Sequence, residues 1–551
     1  MMEKFLTGEG QNIHFNVPDH FNFAYDVVDA WASEAPDKLA LLWTSATEPE
    51  RRLTFADLKR ESDKVAGYLS SLGIGRGDFV MLILKRRLAF WTTMLALEKI
   101  GAVAIPATYL LSSHDIIYRC KSAEIKAIIC CGDADILAKV AEAEPKCPFL
   151  DRMISVGPVV PEGFEDFEAG VAAAEPWERN GFTNDSSDPM LMYFTSGTSD
   201  EPKMALHSHT YALSHLVTAA FWQQLTPDSL HFTYSDSGWA KAAWGKIYGQ
   251  WIVGAAIFVY DHEKFFPAEI LALIGKYRIT SFCAPPTIYR FLIKEHFNCF
   301  DLSSLQSCST AGEALNPSVF EEFHRRTGLW IHEGFGQSET SIILGTFRWV
   351  EPRPGSMGKP SPFYDIDLIK ADGTPAGVGE RGVISIRTGE KPPVGLFLGY
   401  YRNPKLTHKA WHDGIYSTGD VAYKDADGYY WFEGRNDDLI KTSGYRVSPF
   451  EVESAVMGHP AVLECAVTGV PDPDETRGTV VKATIVVASE YKKQTLDGIS
   501  RSALIKDIQK YVKGITAPYK YPRVIEFVEE LPKTVSGKIR HAELREKDAR
   551  G

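Results

Sequence analysis

The sequence predicts an α/β protein. A large N-terminal domain, residues 1–436, of doubly wound mixed sheets carries a small antiparallel β subdomain, and an α+β C-terminal domain, residues 437–551, follows. Three observations predict this. From residue 79 onward short apolar runs alternate with helical patterns, the mark of parallel β-α-β units. Between about residues 355 and 434 the chain turns to short alternating segments punctuated by Gly and Pro, the pattern of antiparallel strands. Downstream of Asp437, strand and helix patterns mix within about 110 residues, an ordinary size for one domain.

The elements follow in order. Residues 79–84 read as a strand, 88–99 as a helix and 102–105 as a strand, with a helix from about His114 behind a Ser113 cap. Strand 126–131, helix 136–143 and strand 153–156 continue the alternation. After a hydroxyl-rich turn at 195–203, residues 206–220 read as helical, 257–260 as a strand, 268–277 as a helix and 281–284 as a strand. Segments 382–387 and 428–433 are antiparallel strands. In the last part a helix from Pro449, strands 462–467 and 480–487, a helix 503–512 and a strand 524–528 complete the pattern.

The chain has 551 residues, more than one hydrophobic core organises. Its formal net charge of -12 argues against nucleic acid or an acidic membrane as main partner, so anionic substrates must meet local basic groups. Eight cysteines include no C-x-x-C pair and several sit in apolar runs, which fits buried free thiols in a reducing compartment. The first 16 residues lack both an apolar signal core and an arginine-rich presequence, and cytoplasmic residence is the expectation. Apolar stretches are interrupted early, for example by Lys85, Arg86 and Arg87, so no integral membrane association is expected. There is no P-loop, and Gly73, Gly75 and Gly77 miss the dinucleotide spacing because Asp78 stands where a third glycine is required.

Thr195, Ser196, Gly197, Thr198, Ser199, Asp200, Glu201, Pro202 and Lys203 follow an apolar strand, and together suggest a polyphosphate grip. Backbone N–H groups, several hydroxyls and one ammonium converge there on anionic oxygens, at a strand's carboxyl end. A turn with no ligand would use the same residue types. In Glu333-Gly334-Phe335-Gly336-Gln337-Ser338-Glu339, two glycines bracket an aromatic that can receive a flat base. The carboxylate of Glu339 can hold Mg²⁺ against phosphate oxygens. Gly312, Glu313 and Ala314 offer a second backbone wall. Asp420 ends a strand-like run in Ser417-Thr418-Gly419-Asp420 and suits two vicinal hydroxyls, and Arg435 can reach the same sugar or its phosphate, although turn formation alone favours Thr-Gly-Asp as strongly. Lys533 and Lys538 flank a flexible polar loop that could enter a site or stay solvated.

Taken in this order along nearly the whole chain, these segments resemble the adenylate-forming superfamily of acyl-CoA synthetases, luciferases and peptide-synthetase adenylation domains. Residues 193–199, Met204-Ala205, His207-Ser208-His209 and 517–523 look most like medium-chain acyl-CoA synthetases, which implies a place in fatty acid metabolism. The resemblance implies ATP, Mg²⁺ and coenzyme A. A carboxylic acid would be converted to acyl-AMP plus pyrophosphate and then to a thioester, with the enzyme a monomer or a homodimer. It also implies roles. The 195–203 turn would hold the β- and γ-phosphates, Glu339 the metal, and residues 333–338 the adenine and α-phosphate. Asp420 would hold the ribose with Arg435 beside it, and Lys538 would bridge the attacking carboxylate and the α-phosphate. Asp437 matches the hinge about which a mobile C-terminal domain alternates. In the second state Ser443, Gly444 and Tyr445 would line the pantetheine path, with Arg446, Arg477 and Lys513 on coenzyme A. One departure is Asp200, where the family usually has glycine.

The resemblance also places part of the acyl pocket at Trp239, Lys241 and Trp244, with Cys283 and Cys308 as small walls. Two tryptophans there would restrict it to short-to-medium, branched or aryl acids, unless they are ordinary core. Alternatives stay open: an adenylating enzyme serving a carrier protein, for which Asp236 could meet a substrate amine; a serine acyl-enzyme using the S-x-x-K spacing of Ser356 and Lys359; and a nucleotide sensor, against which Glu339 and Lys538 weigh.

Overall fold

The computed structural model describes residues 1–9, 12–195, 201–389, 391–435, 438–442, 445–472, 478–517, 520–533 and 539–550. Among them, two large sheets dominate. In one, parallel strands run in the order Val103–Pro106, Phe79–Ile83, Ala127–Cys131, Arg152–Val156 and Glu165–Asp166. Pro189–Thr195 joins parallel to Val103–Pro106, and the sheet ends in two antiparallel strands, Lys203–Ser208 and Gly399–Tyr400. The other sheet has a parallel centre of Leu39–Ser45, Ala256–Asp261, Leu230–Thr233, Ser281–Cys283, Ser307–Ala311 and Ile331–Gly336. Antiparallel strands Arg51–Thr54 at one edge and Ile342–Gly345 with Lys359–Pro360 at the other complete it.

The central strands are buried on both faces, because helices cover them; Phe79–Ile83 and Ala127–Cys131 are accordingly continuous apolar runs. Two helices, Phe55–Ser71 and Ala89–Ile100, are tied by charge. Lys99, fully buried, places its Nζ 2.9 Å from Asp29 Oδ1 and 2.5 Å from Asp63 Oδ1. An antiparallel sheet of Asp365–Ile369, Arg381–Arg387, Ile415–Lys424 and Trp411–His412, with Tyr430–Arg435 on Ile415–Lys424, supplies the β subdomain. Near the C-terminus, Val462–Pro471, Thr479–Val487 and Val524–Phe527 form a small sheet packed by helices Pro449–Met457 and Gly498–Ile515 around its own core. No helix among the described residues is long and apolar enough to cross a membrane.

Three local expectations are corrected. Residues 206–208 are not helical: Lys203–Ser208 is a strand, and helix begins only at Thr210–Val217. A short apolar run fits either state, and here backbone pairing with Pro189–Thr195 on one side and Gly399–Tyr400 on the other decides for strand. The helix Ser113–Ala123 is capped by Ser112, not Ser113. Ser112 Oγ accepts the Asp115 N–H at 3.2 Å, and the Asp115 carboxylate accepts the Ser112 N–H at 2.9 Å. Asp420 lies inside the strand Ile415–Lys424 rather than at the end of a strand-like run, next to Gly419, whose φ of 75° favours a residue without Cβ.

Candidate active site

The antiparallel hairpin Pro189–Thr195 and Lys203–Ser208 brings the two flanks of the hydroxyl-rich turn together, with Thr195 opposite Lys203. Ser196, Gly197, Thr198, Ser199 and Asp200, the body of that turn, lie outside the described residues. The helix Ser113–Ala123 braces the flanks: Tyr118 Oη donates to the Pro202 carbonyl at 3.1 Å, and the Arg119 guanidinium lies 4.9 Å from the Phe194 ring centroid.

From Lys203 a chain of contacts runs across the site. Its ammonium sits 5.4 Å from the ring centroid of Tyr400, whose strand pairs with Lys203–Ser208. Tyr400 Oη donates to Glu339 Oε1 at 2.7 Å. Burial and then the Glu339 charge hold the Tyr400 phenol well above its ordinary pKa, so it stays a donor. Glu339 is 8% exposed, and the Phe397 N–H fixes its backbone carbonyl at 2.9 Å.

Two residues upstream, Gln337 Nε2 donates to Asp420 Oδ2 at 2.6 Å and to the Thr418 carbonyl at 2.9 Å. Gln337 Oε1 accepts from Tyr416 Oη at 2.8 Å. Arg435 Nη1 approaches Asp420 Oδ2 at 3.4 Å and the Thr418 carbonyl at 3.3 Å. Lys203, Glu339, Gln337, Asp420 and Arg435 thus gather, although as many as 232 positions separate the first and last in sequence (435 minus 203).

The glycines have a steric reason. A Cβ on Gly334 would stand 2.7 Å from Trp222, and one on Gly336 would stand 2.3 Å from the Ser341 carbonyl and 2.6 Å from the Trp244 ring. Phe335, half-buried between them, faces Phe432 at 6.3 Å. Ser338 offers its carbonyl to His207 Nε2 at 2.7 Å. Gly312 has φ of 103°, and Lys241 Nζ donates to the neighbouring Ala311 carbonyl. Ala314 is half-buried, while Glu313 is exposed and accepts from Thr287 Oγ1 at 3.0 Å. Glu333 is buried, and its Oε1 accepts the Leu315 N–H at 3.2 Å. Burial pushes its pKa up to about 8. Its described contact ties this strand to the 312–315 loop.

Trp239 is half-buried with its indole N–H unpartnered, and Trp244 packs edge-on against Trp222 at 6.0 Å. Cys283 and Cys308 do not share a wall. Cys308 pairs in register with Phe282 and belongs to the core beneath helix Pro317–Thr327, whereas Cys283 faces the other side of the sheet. Strand alternation forces the separation. Asp236 is buried; its Oδ1 accepts the Gly238 N–H at 2.8 Å, and Arg86 Nη1 stands 3.6 Å from its Oδ2. Ser356, 1% exposed, donates to the Tyr430 carbonyl at 3.1 Å and does not present a nucleophile.

Ser443, Gly444, Arg477, Lys538 and Asp437 lie outside the described residues. Tyr445 and Arg446 begin the strand Tyr445–Val447, their side chains outside the description. Lys513 is exposed on helix Gly498–Ile515, with Nζ 4.0 Å from the Tyr521 ring centroid. Sequence reasoning missed Tyr400 and Tyr416 and assigned no role of their own to Thr418 and His207. For Tyr416 and Thr418 a signal existed: with Asp420 they stand at alternate positions of one strand, and all three are buried.

A carboxylate engaged by one hydroxyl donor, a lysine, an arginine–aspartate pair and a glycine-bordered aromatic supply the charges, donors and flat face that binding a phosphorylated nucleoside requires. The chain belongs to the AMP-binding enzyme family: the family model of the AMP-binding enzyme matches residues 28–401, and that of the AMP-binding enzyme C-terminal domain matches residues 451–538. Relatives include the acyl-coenzyme A synthetase ACSM3, mitochondrial, of Pongo abelii, 41% identical over 98% of this chain and 91% of that one. The Homo sapiens protein of the same name is 40% identical with the same coverage. Among solved structures, the anthranilate CoA ligase AuaEII in complex with anthranoyl-AMP superposes with a TM-score of 0.86 at 29% identity, covering 97% of this chain and 98% of that one. A Brucella canis acyl-CoA synthetase gives 0.71 at 31% identity, covering 97% and 96%.

Proposed function

We propose that this chain, an AMP-forming acid–coenzyme A ligase, activates a medium-chain, branched or aryl carboxylic acid at the Lys203–Glu339–Asp420 site. The observation that carries the residue assignment is the contact chain from the phosphate-turn lysine through Tyr400 and Glu339, beside the Gln337–Asp420–Arg435 group. In the first half-reaction a carboxylate oxygen attacks the α-phosphorus of ATP, forming the acyl–phosphate bond as pyrophosphate leaves. In the second, coenzyme A thiolate attacks the acyl carbonyl and AMP leaves.

The Asp420 carboxylate and Arg435 orient the ribose, the Gly334–Gly336 strand and Phe335 receive the adenine, and Lys203 with the turn neutralises the leaving pyrophosphate. Among the described residues no cluster of three His, Cys, Asp or Glu forms a metal cage. That suits Mg²⁺, which takes one or two carboxylates and completes its shell with water and phosphate oxygens. Glu339 would hold it, and the ion when bound supplies positive charge to the phosphates. Lys538 bridges the reacting carboxylate and α-phosphate, and a C-terminal domain turning about Asp437 then brings residues 443–446, Arg477 and Lys513 to coenzyme A.

An acyl pocket beside Trp239 and Trp244 favours flat or short acids, a reading supported by the anthranilate ligase among the similar structures. Asp236, already held by Gly238 and Arg86, is poorly placed to meet a substrate amine. Seven buried cysteines, all free, support a reducing compartment. Cytoplasmic residence is proposed on that ground; the relatives' names carry the word mitochondrial, a property of those proteins. The test is pyrophosphate release over a panel of carboxylic acids, with and without coenzyme A. Thioester formation with an aryl or medium-chain acid is expected; turnover with a carrier protein but not with coenzyme A would overturn the reading.

A further inference from the structure

The strand Lys203–Ser208 carries Lys203 at one end and His207 at the other, on one face of the strand by alternation. His207 is fully buried, with Tyr211 packed on it at 3.9 Å between ring centroids and Tyr193 edge-on at 6.3 Å. Its Nε2 lies 2.7 Å from the carbonyl oxygen of Ser338, the residue between Gln337 and Glu339. A carbonyl can only accept, so Nε2 bears the proton. Nδ1 is buried and has no partner. Burial holds the imidazole pKa down at about 4, so near neutrality the ring has one proton and one tautomer.

The contact joins the two large sheets at the site. On one side is the strand leading out of the phosphate turn; on the other is the loop from which Gln337 reaches Asp420 and Glu339 meets Tyr400. A second link, Tyr400 Oη to Glu339, acts on the carboxylate itself. His207 acts on the backbone between the two functional side chains. A buried imidazole with its second nitrogen unpaired is a costly way merely to fill space.

We propose that His207 is a positioning residue for acyl-AMP formation: its Nε2–H fixes the Ser338 carbonyl and so sets the position of the Glu339 carboxylate relative to Lys203. The proposal rests on the functional reading above. It separates two replacements of equal burial. Glutamine can put an amide N–H where Nε2 stands, whereas leucine fills the space without a donor.

The experiment measures both half-reactions for His207→Leu and His207→Gln, with melting temperatures. It also follows ATP binding by calorimetry with and without magnesium and without acid, a readout independent of turnover. His207→Leu is expected to lower kcat of acyl-AMP formation by about 10- to 100-fold, as loss of an outer partner of a metal-holding group does. It should also shrink the magnesium-dependent gain in ATP affinity, while thioester formation from supplied acyl-AMP stays within about threefold; His207→Gln is expected to recover most of both losses. Equal loss in both half-reactions, or no recovery by glutamine, overturns the proposal. Should the leucine variant fail to fold, ¹⁵N NMR of the wild-type imidazole decides instead: an Nε2–H ring at neutral pH supports the proposal and an Nδ1–H ring overturns it. A wild type that makes no acyl-AMP would overturn the functional reading and this proposal with it, whereas a wild type that makes it normally beside an unimpaired leucine variant would overturn this proposal alone.

Discussion

Tyr400 shows how one side chain links two parts of a site. Its ring receives Lys203 and its hydroxyl holds Glu339, so replacing Tyr400 by Phe removes a charge-assisted hydrogen bond while keeping the ring. Such bonds contribute about 1.5–3 kcal/mol, and we expect acyl-AMP formation by Tyr400→Phe to slow by about 10- to 100-fold with little change in melting temperature. An unchanged rate in a pyrophosphate-release assay would show that the hydroxyl is idle.

A different carboxyl, Glu98, is 1% exposed in helix Ala89–Ile100, and burial pushes its pKa up to about 8. A folded-state pKa above the ordinary 4.5 means that the folded protein holds this proton more tightly. The resulting stabilisation is complete below the unfolded pKa and is lost as pH rises through about 8. Glu98→Gln, neutral at every pH, should therefore melt with a flatter pH dependence between 4.5 and 8 than the wild type. Parallel melting curves across that range would count against a protonated Glu98.

Among the elements, the hairpin that bears the phosphate turn was half-legible. The apolar run 190–194 reads as a strand, but 206–208 carry no periodicity that separates strand from helix, and only backbone pairing settles them: with Pro189–Thr195 on one side and, for Leu206, with Gly399, nearly 200 positions away, on the other. The same applies to Cys283 and Cys308. Both are small and apolar, yet which face each takes depends on strand register.

The helices Phe55–Ser71 and Ala89–Ile100 meet at Lys99, whose ammonium lies between Asp29 and Asp63. Lys99→Ala leaves the buried Asp63 and the half-buried Asp29 carboxylates without their shared cation and should destabilise the fold by about 3–5 kcal/mol in denaturant titration. A loss below about 1 kcal/mol would mean that water or Lys59 compensates. On the strand Ile331–Gly336, Gly336→Ala drives a methyl to within 2.6 Å of Trp244 and 2.3 Å of the Ser341 carbonyl. ATP affinity measured by calorimetry should fall by about 5- to 150-fold, because overpacking on this scale costs about 1–3 kcal/mol.

Over the whole molecule, residues beyond 437 build a separate hydrophobic core and touch the larger part through few described polar contacts. Asn316 Nδ2 donates to the Ser454 carbonyl at 3.2 Å, Arg290 Nη1 approaches Met457 Sδ at 3.1 Å, and Ser448 Oγ donates to the Glu433 carbonyl. The domain alternation proposed above needs an interface that is readily exchanged for another, and few polar contacts suit it. The expected signature is a split. Lys538→Ala should lose acyl-AMP formation by about 10²–10³-fold while thioester synthesis from supplied acyl-AMP survives, because only in the first step is the α-phosphorus itself attacked. Equal loss in both steps would contradict that role.

The sequence by itself determined the fold class and the family, because these depend on local runs: an apolar strand before a hydroxyl-rich turn, glycines around Phe335, and a Thr-Gly-Asp after a strand-like run. Only the tertiary structure decided that Tyr400, Tyr416 and His207 join Glu339 and Asp420, and that Glu333 contacts a neighbouring loop. Those facts depend on strand register and on which buried polar atoms find partners, quantities set by contacts between residues far apart in the chain, which no local pattern encodes.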